Sequence, residues 1–339
     1  MRRSLLLAVP LAALAVVPLA GATPRLNISA TASTTTIGFS LLASDRPPAR
    51  VSILADSAFA SVDLSAAPGT VLGTVTAKAT TGALGGAAVP LAGTVKVVAS
   101  NGTYLSNGAQ VPVANAAAAC TGNASHTTYW VLNLSAAGQT FDVPLFVDAI
   151  TGPIAKATIT LCLPSPEVPP PLGAAFGVKV LQAVLTVRGV FPTTTGDYRW
   201  RALVTGYTAG SATVDTASTV ETQALEHAPG AVTLAAKKAG KGKATVSGKV
   251  TEAGKPVANA TVVVAGGRRA LRLKTTAGGA YRGVVAFGAA GARLRATATV
   301  PSRDLGASAC TATFTSAGIP CIDAVDSGFT ATTPAVKPS

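Results

Sequence analysis

The stretch Tyr198-Arg199-Trp200-Arg201-Ala202-Leu203-Val204 alternates apolar and charged positions with period two. In an extended chain that spacing puts Tyr198, Trp200, Ala202 and Val204 on one face and both arginines on the other. The same grammar runs along most of the chain. Val71 to Lys78, Thr94 to Ala99, Thr128 to Leu134, Phe141 to Phe146, Ala157 to Cys162 and Lys179 to Val187 all read as strands, separated by Gly, Asn, Pro or Ser. It resumes further on. Val246, Gly248 and Val250 alternate, Ala260 to Ala265 is rich in branched residues, Leu271 and Leu273 interleave with Arg272 and Lys274, and Leu294, Ala296, Ala298 and Val300 share a face. Gly266-Gly267 supplies a hairpin turn, because glycine accepts positive φ. Short strands broken this often predict an all-β fold of two antiparallel β-sandwich domains. The proline run within 164–171 is excluded from helix and central strand; it is either a crossover within one large sandwich, the favoured reading, or a boundary between two subdomains.

Charge divides the chain in two. Residues 23–230 carry ten basic and ten acidic side chains; residues 231–339 carry fifteen basic and four acidic, a net +11. The break predicts an N-terminal β-sandwich domain over 23–230, a basic linker over 231–243 and a second sandwich over 244–335. A hydrophobic content of 48% with only 12% charged residues gives both parts enough apolar material for a core.

The first residues, MRRSLLLAVPLAALAVVPLAGATP, pair Arg2 and Arg3 with an apolar run that ends in Ala20-Gly21-Ala22. That order predicts a signal peptide over 1–22, cut after Ala22, and hence an exported, secreted or cell-surface chain with no transmembrane span after cleavage. Four cysteines in an exported chain suggest two disulfides. Of the three possible pairings, spacing favours Cys120–Cys162 and Cys310–Cys321, each closing within one expected domain. Zinc is the rival reading, but no C-x-x-C occurs and His126 is the sole histidine near a cysteine.

In the second region three motifs carry a resemblance: Val246-Ser-Gly248-Lys-Val250, Gly254-Lys-Pro256-Val-Ala-Asn-Ala260-Thr-Val262, and Thr276-Ala-Gly278-Gly279-Ala-Tyr281. Together they resemble a carboxypeptidase regulatory-like domain over about residues 244–300. The resemblance implies a seven-strand, transthyretin-like or Ig-like sandwich. It also implies a non-catalytic accessory module of exported enzymes, receptors or surface proteins. Ala277 stands where that family has Asp. The remainder is similar only in its Ala-, Gly- and Arg-rich composition to exported proteins of high-GC Gram-positive bacteria.

Local signatures of catalysis are absent: no H-E-x-x-H, G-x-S-x-G, G-x-G-x-x-G or phosphate-loop motif occurs. No catalytic residue, cofactor or metal ligand is assigned, and the chain is expected not to be an enzyme. Asp142 and Asp148 lie at the two ends of one strand-like run, and Asp323 and Asp326 read first as turn residues, with loose calcium binding as the rival. The basic region supplies candidate anion contacts at Lys237, Lys238, Lys241, Lys243, Arg268, Arg269, Arg272, Arg293 and Arg295, set against a simply solvated basic surface. The expected partner is an anionic cell-wall polymer or polysaccharide rather than nucleic acid, since no aromatics interleave with the bases. Trp130, Tyr198 and Trp200 form a candidate glycan platform; their alternative is a core aromatic face with solvated arginines opposite. The leading expectation is a structural or adhesive cell-surface protein. The rivals are a carbohydrate-binding protein and a hydrolase with an accessory module, the last requiring His126 or His227 to meet a carboxylate in a cleft.

Overall fold

The structure is a computed structural model that describes residues 23–81, 86–106, 108–136, 139–166, 178–192, 194–240, 242–286 and 293–339. The expected signal peptide and most of the proline-rich segment lie outside the described residues, as does Lys241. Among the described residues, strand accounts for about 59% and helix for about 5%, which makes the fold all-β.

In chain order the strands are β1 (Arg25–Ala30), β2 (Thr34–Ser40), β3 (Pro48–Asp56), β4 (Val71–Thr81), β5 (Ala88–Val98), β6 (Thr103–Ser106), β7 (Ala109–Pro112), β8 (Thr128–Ala136), β9 (Gln139–Ala149), β10 (Ala155–Cys162), β11 (Val178–Arg188), β12 (Gly196–Tyr207) and β13 (Val214–Ala228). They continue as β14 (Gly230–Val232), β15 (Ala235–Lys238), β16 (Lys243–Glu252), β17 (Lys255–Pro256), β18 (Thr261–Ala265), β19 (Leu271–Lys274), β20 (Ala280–Ala286), β21 (Arg295–Val300), β22 (Arg303–Asp304), β23 (Cys321–Asp326) and β24 (Phe329–Thr332). Helix α1 (Val113–Thr121) follows β7. It is alanine-rich, the residue that favours helix most, and it buries Val113 and Ala117 against Tyr129, Val131 and Phe146.

Two large hydrophobic cores form. The first gathers inward-facing residues between Leu26 and Ala228, including Val95, Trp130, Val147, Ile159 and Trp200. Around it runs a thirteen-strand sheet in the order β1-β2-β11-β4-β5-β8-β9-β10-β3-β12-β13-β23-β22. The path curls far enough that β1 lies against β13 and β23, where the Ile28 N–H donates to Ser327 Oγ at 3.1 Å, without a ladder between them. The second core is enclosed by β14, β15, β16, β17 and β20 on one side and β19-β18-β21-β24 on the other. Its centre is Val246, Val250, Val262, Val264, Leu294, Ala296 and Ala298; the first pair and the last three are sets that alternation placed on one face.

Two features depart from the expected domain plan. The expected linker 231–243 is mostly strand: β14 and β15 both pair with β16, and Ala236 enters the second core. More consequentially, residues 301–328 leave the second sandwich between β21 and β24 and dock on the first sheet. There β23 pairs in parallel with β13, Glu221 opposite Cys321 and Leu225 opposite Asp326. The chain then returns as β24 beside β21. The excursion closes tightly on itself, because a side chain at Gly328 would collide with the backbone of Val300, Pro301 and Ser302. Cys310–Cys321 staples this excursion rather than the second sandwich. Cys120–Cys162 ties α1 to β10, so both bonds take the expected pairing.

The three resemblance motifs are strand, hairpin and turn. Gly248 sits where a side chain would strike the Thr233 carbonyl and the Tyr281 ring. Gly254 has φ +76°, accessible to glycine at little cost, in the connection between β16 and β17. The turn at 276–280 closes through Thr276 N–H to Ala280 O (2.8 Å) and Gly279 N–H to Thr276 O (2.9 Å). It therefore stands on backbone bonds with Ala277 in place of an acid.

Candidate anion-contact surface

Antiparallel register decides which basic side chains share a face. On β16 the buried positions are Ala244, Val246 and Val250, so Lys243, Thr245, Ser247 and Lys249 point outward. Across the ladder Ser247 faces Arg282 and Lys249 faces Ala280 on β20, while Thr245 faces Lys237 on β15. The second sheet presents Arg272 and Lys274 on β19 and Arg295 on β21, opposite Val263, Thr261 and Ala265 of β18. Lys238, Arg268, Arg269 and Arg293 are exposed at strand ends and turns. The expected basic residues that are described are thus all solvent-facing, but they spread over both faces of the sandwich instead of converging.

Convergence occurs at three bases outside that set. Lys249, Lys274 and Arg282 line an open basin of about 700 Å³, together with the hydroxyl-bearing Thr233, Ser247, Thr276 and Tyr281. No acid lines it. Lys274 Nζ donates to Thr261 Oγ1 (2.9 Å) and Asn259 O (3.1 Å), which holds one wall in place. Tyr281 donates its hydroxyl to the Thr233 carbonyl, and burial pushes its pKa up to about 12, so the phenol stays protonated. Lys249 and Arg282 sit diagonally on one ladder, a relation that becomes readable only once the β16–β20 register is known.

The electrostatics of the second sandwich are sharper than its sequence span suggests. Of the four acids after residue 230, Asp304, Asp323 and Asp326 lie in the excursion and face the first sheet. Arg25 pairs with both Asp304 and Asp323, the latter at 3.4 Å, and Arg303 pairs with Asp326 at 2.8 Å. Residues 231–300 therefore hold thirteen bases and one acid, Glu252. Among the described residues, no lysine or arginine in that span forms an ion pair.

The glycan platform is corrected. Trp130 is 1% exposed, Tyr198 4% and Trp200 0%, all within the first core. Phe59 stacks on Tyr198 with ring centroids 4.3 Å apart, and Phe191 packs edge-on against Trp200. No ring face is left for a sugar. The arginines opposite are not freely solvated either, because the excursion buries Arg201 and half-covers Arg199. Buried Arg201 pairs with buried Glu221 at 3.3 Å and donates to Thr313. Arg199 donates to Gln223 Oε1 at 2.8 Å, and Gln223 bonds both backbone groups of Thr311.

Both histidines do meet carboxylates. His126 Nδ1 lies 2.7 Å from Asp148, and its Nε2 lies 3.1 Å from both Thr121 Oγ1 and the Asn123 carbonyl. The ring stacks on Phe146 with its side chain 4% exposed, so it ties α1 to the β8–β9 hairpin. His227 joins Asp197 (2.5 Å) to Asp326 (3.1 Å), linking β12 and β13 to β23. Burial alone would lower the His227 pKa; the Asp197 hydrogen bond and the charges of Asp197, Asp326 and Glu252 outweigh it and raise it above 6.5. Asp142 is taken up by the Leu105 N–H and the Asn133 amide, each at 2.8 Å, away from Asp148. Asp323 and Asp326 are ion-paired rather than free for calcium. Among the described residues no group of three or more His, Cys, Asp or Glu side chains is placed to hold a metal ion.

No protein-family model matches the chain, and no curated protein matches it. The chain is similar, at 13% identity over 93% of its length and 100% of the other chain, to the crystal structure of a tetra-tandem repeat in the extending region of a large adhesion protein. The TM-score of 0.18 is too low for a common fold.

Proposed function

We propose that this is an exported, non-catalytic protein with a structural or adhesive role at the cell surface. Its second sandwich holds it by charge against an anionic polymer. One observation carries the reading: residues 231–300 present thirteen bases against one acid, and none of the described bases is neutralised by an ion pair. A uniformly signed, unpaired surface projects a field that concentrates oppositely charged partners. The two disulfides support an oxidising compartment outside the cytoplasm. Among the described residues no helix is long and apolar enough to cross a membrane. The motifs around Gly248, Gly254 and Thr276 support an accessory module similar to carboxypeptidase regulatory-like domains. A polymer other than nucleic acid is favoured because Tyr281 and Phe329, beside the basic strands, are buried and offer no stacking face.

Removing residues 237–339 is a poor test, since it also strips β23 from the first sheet. The full chain with Lys237, Lys238, Lys243, Arg268, Arg269 and Arg272 changed to Gln leaves both cores intact. On immobilised poly(glycerol phosphate) the parent should be retained at low salt and released as screening shortens the reach of its field. The six-fold variant should elute at clearly lower salt. Identical elution of the two would overturn the proposal.

A further inference from the structure

We infer that the basin of Lys249, Lys274 and Arg282 is a discrete binding site for a backbone phosphate of a phosphodiester polymer. This rests on the proposed attachment to an anionic polymer and specifies its chemistry. Three cations from separate segments converge on the basin, from β16, from β20 and from the end of β19, and no carboxylate competes for them. A planar carboxylate is matched by a single arginine fork, whereas a tetrahedral phosphate presents oxygens in several directions and suits donors on opposite walls. The basin has such donors. Arg282 forms no ion pair, Lys249 Nζ forms none, and Lys274 spends two of its three donors on Thr261 and Asn259. Ser247 and Thr276 line the same space, and among the described residues their hydroxyls make no hydrogen bond. A basin of about 700 Å³ that is open to solvent leaves a bound phosphate accessible, as a site on a longer chain requires.

The site's rigidity comes from the sequence. Gly248 lets the Thr233 carbonyl approach β16, Tyr281 fastens that carbonyl from below, and Thr233 Oγ1 accepts the Lys249 N–H at 2.9 Å. The floor is therefore fixed before a ligand arrives, which reduces the ordering cost of binding.

The test measures binding of the full mature chain to poly(glycerol phosphate), to polygalacturonate and to phosphatidylglycerol vesicles at one moderate salt concentration. The double variant K249E/R282E should lose at least tenfold in affinity for poly(glycerol phosphate). K237E/K238E, with the same change in net charge on the same sandwich, should lose only about two- to threefold, and K78E/K96E on the first sheet should lose less still. Equal losses for the first two variants would overturn the discrete site while leaving the diffuse field standing. Equal losses for all three would overturn both. Polygalacturonate bound as tightly as poly(glycerol phosphate) would overturn the phosphate assignment. Vesicles bound more tightly than the polymer, with the same sensitivity to K249E/R282E, would replace the polymer with a lipid surface. Circular dichroism of each variant, matched to the parent, ties the losses to the site.

Discussion

Glu226 is 1% exposed, accepts the Trp200 indole N–H at 2.7 Å and leaves Oε1 without a partner. Burial pushes its pKa up to about 7, against the weaker pull of the Trp200 bond and the His227 charge. A carboxyl whose folded pKa is raised holds its proton longer folded than unfolded, so its effect on stability worsens as pH climbs from 4.5 to 7. His227 adds to this with the same sign: its raised pKa contributes stability fully present below 6.5 and lost as pH rises through the folded value. Glu252, pushed by burial to about 6, acts like Glu226. Urea unfolding should therefore show stability falling between pH 5 and pH 8. Glu226→Gln keeps an acceptor for Trp200 and removes the charge. At pH 8 it should be more stable than the parent by up to roughly 3 kcal/mol, and at pH 5 nearly equal. A pH slope identical in both proteins would refute the assignment.

Among the elements, the two disulfides differ in how much chain they close. Cys120–Cys162 spans 42 residues and Cys310–Cys321 spans 11. Loop-closure entropy makes the first worth about 4 kcal/mol and the second about 3. Replacing Cys120 and Cys162 by Ala should lower the unfolding midpoint more than replacing Cys310 and Cys321, as differential scanning fluorimetry would show. The second pair of replacements should instead expose residues 303–317 to protease without unfolding the cores; intact resistance there would count against the excursion as described. Element-level legibility was uneven for identifiable reasons. Alternation grouped Trp200 with Tyr198 and Ala202 on one face but left open whether that face was core or glycan platform; it did place Leu294 inward, and Gly266-Gly267 did mark the β18–β19 hairpin, with φ +97° at Gly266. Period-two reading says which residues share a face, but not whether that face will be covered twice, so Arg199 and Arg201 read as solvated although the excursion buries Arg201 and half-covers Arg199. Parallel pairing of β23 with β13 joins segments about a hundred residues apart, and no local pattern encodes it. The alanines of VANAAAACT favour helix, but so many other stretches are Ala-rich that composition alone does not single this one out. The basin was hidden for the register reason: Lys249 and Arg282 are neighbours only across a ladder.

At the scale of the whole molecule, the charge boundary and the hydrogen-bond boundary do not coincide. Net charge changes near residue 230, but the first sheet draws its last strands from 303–326. A fragment of residues 23–230 would present β13 as an open edge, with Glu221, Thr222 and Gln223 uncovered. Such an edge pairs readily with other chains. Expressed alone, that fragment should aggregate or elute as oligomers in size-exclusion chromatography, whereas a chain of residues 23–339 stays dispersed. A monodisperse, cooperatively melting fragment would show that β23 is dispensable. Most β-sandwich modules joined by one peptide are free to swing about it, and relative motion is the default for such pairs. Here the polypeptide passes between the two cores three times, near Pro229, Pro301 and Gly328. Three anchorage points in place of one suppress bending and torsion alike, so traction applied to either end is transmitted through a stiff joint and the charged faces keep a fixed bearing relative to the first sheet.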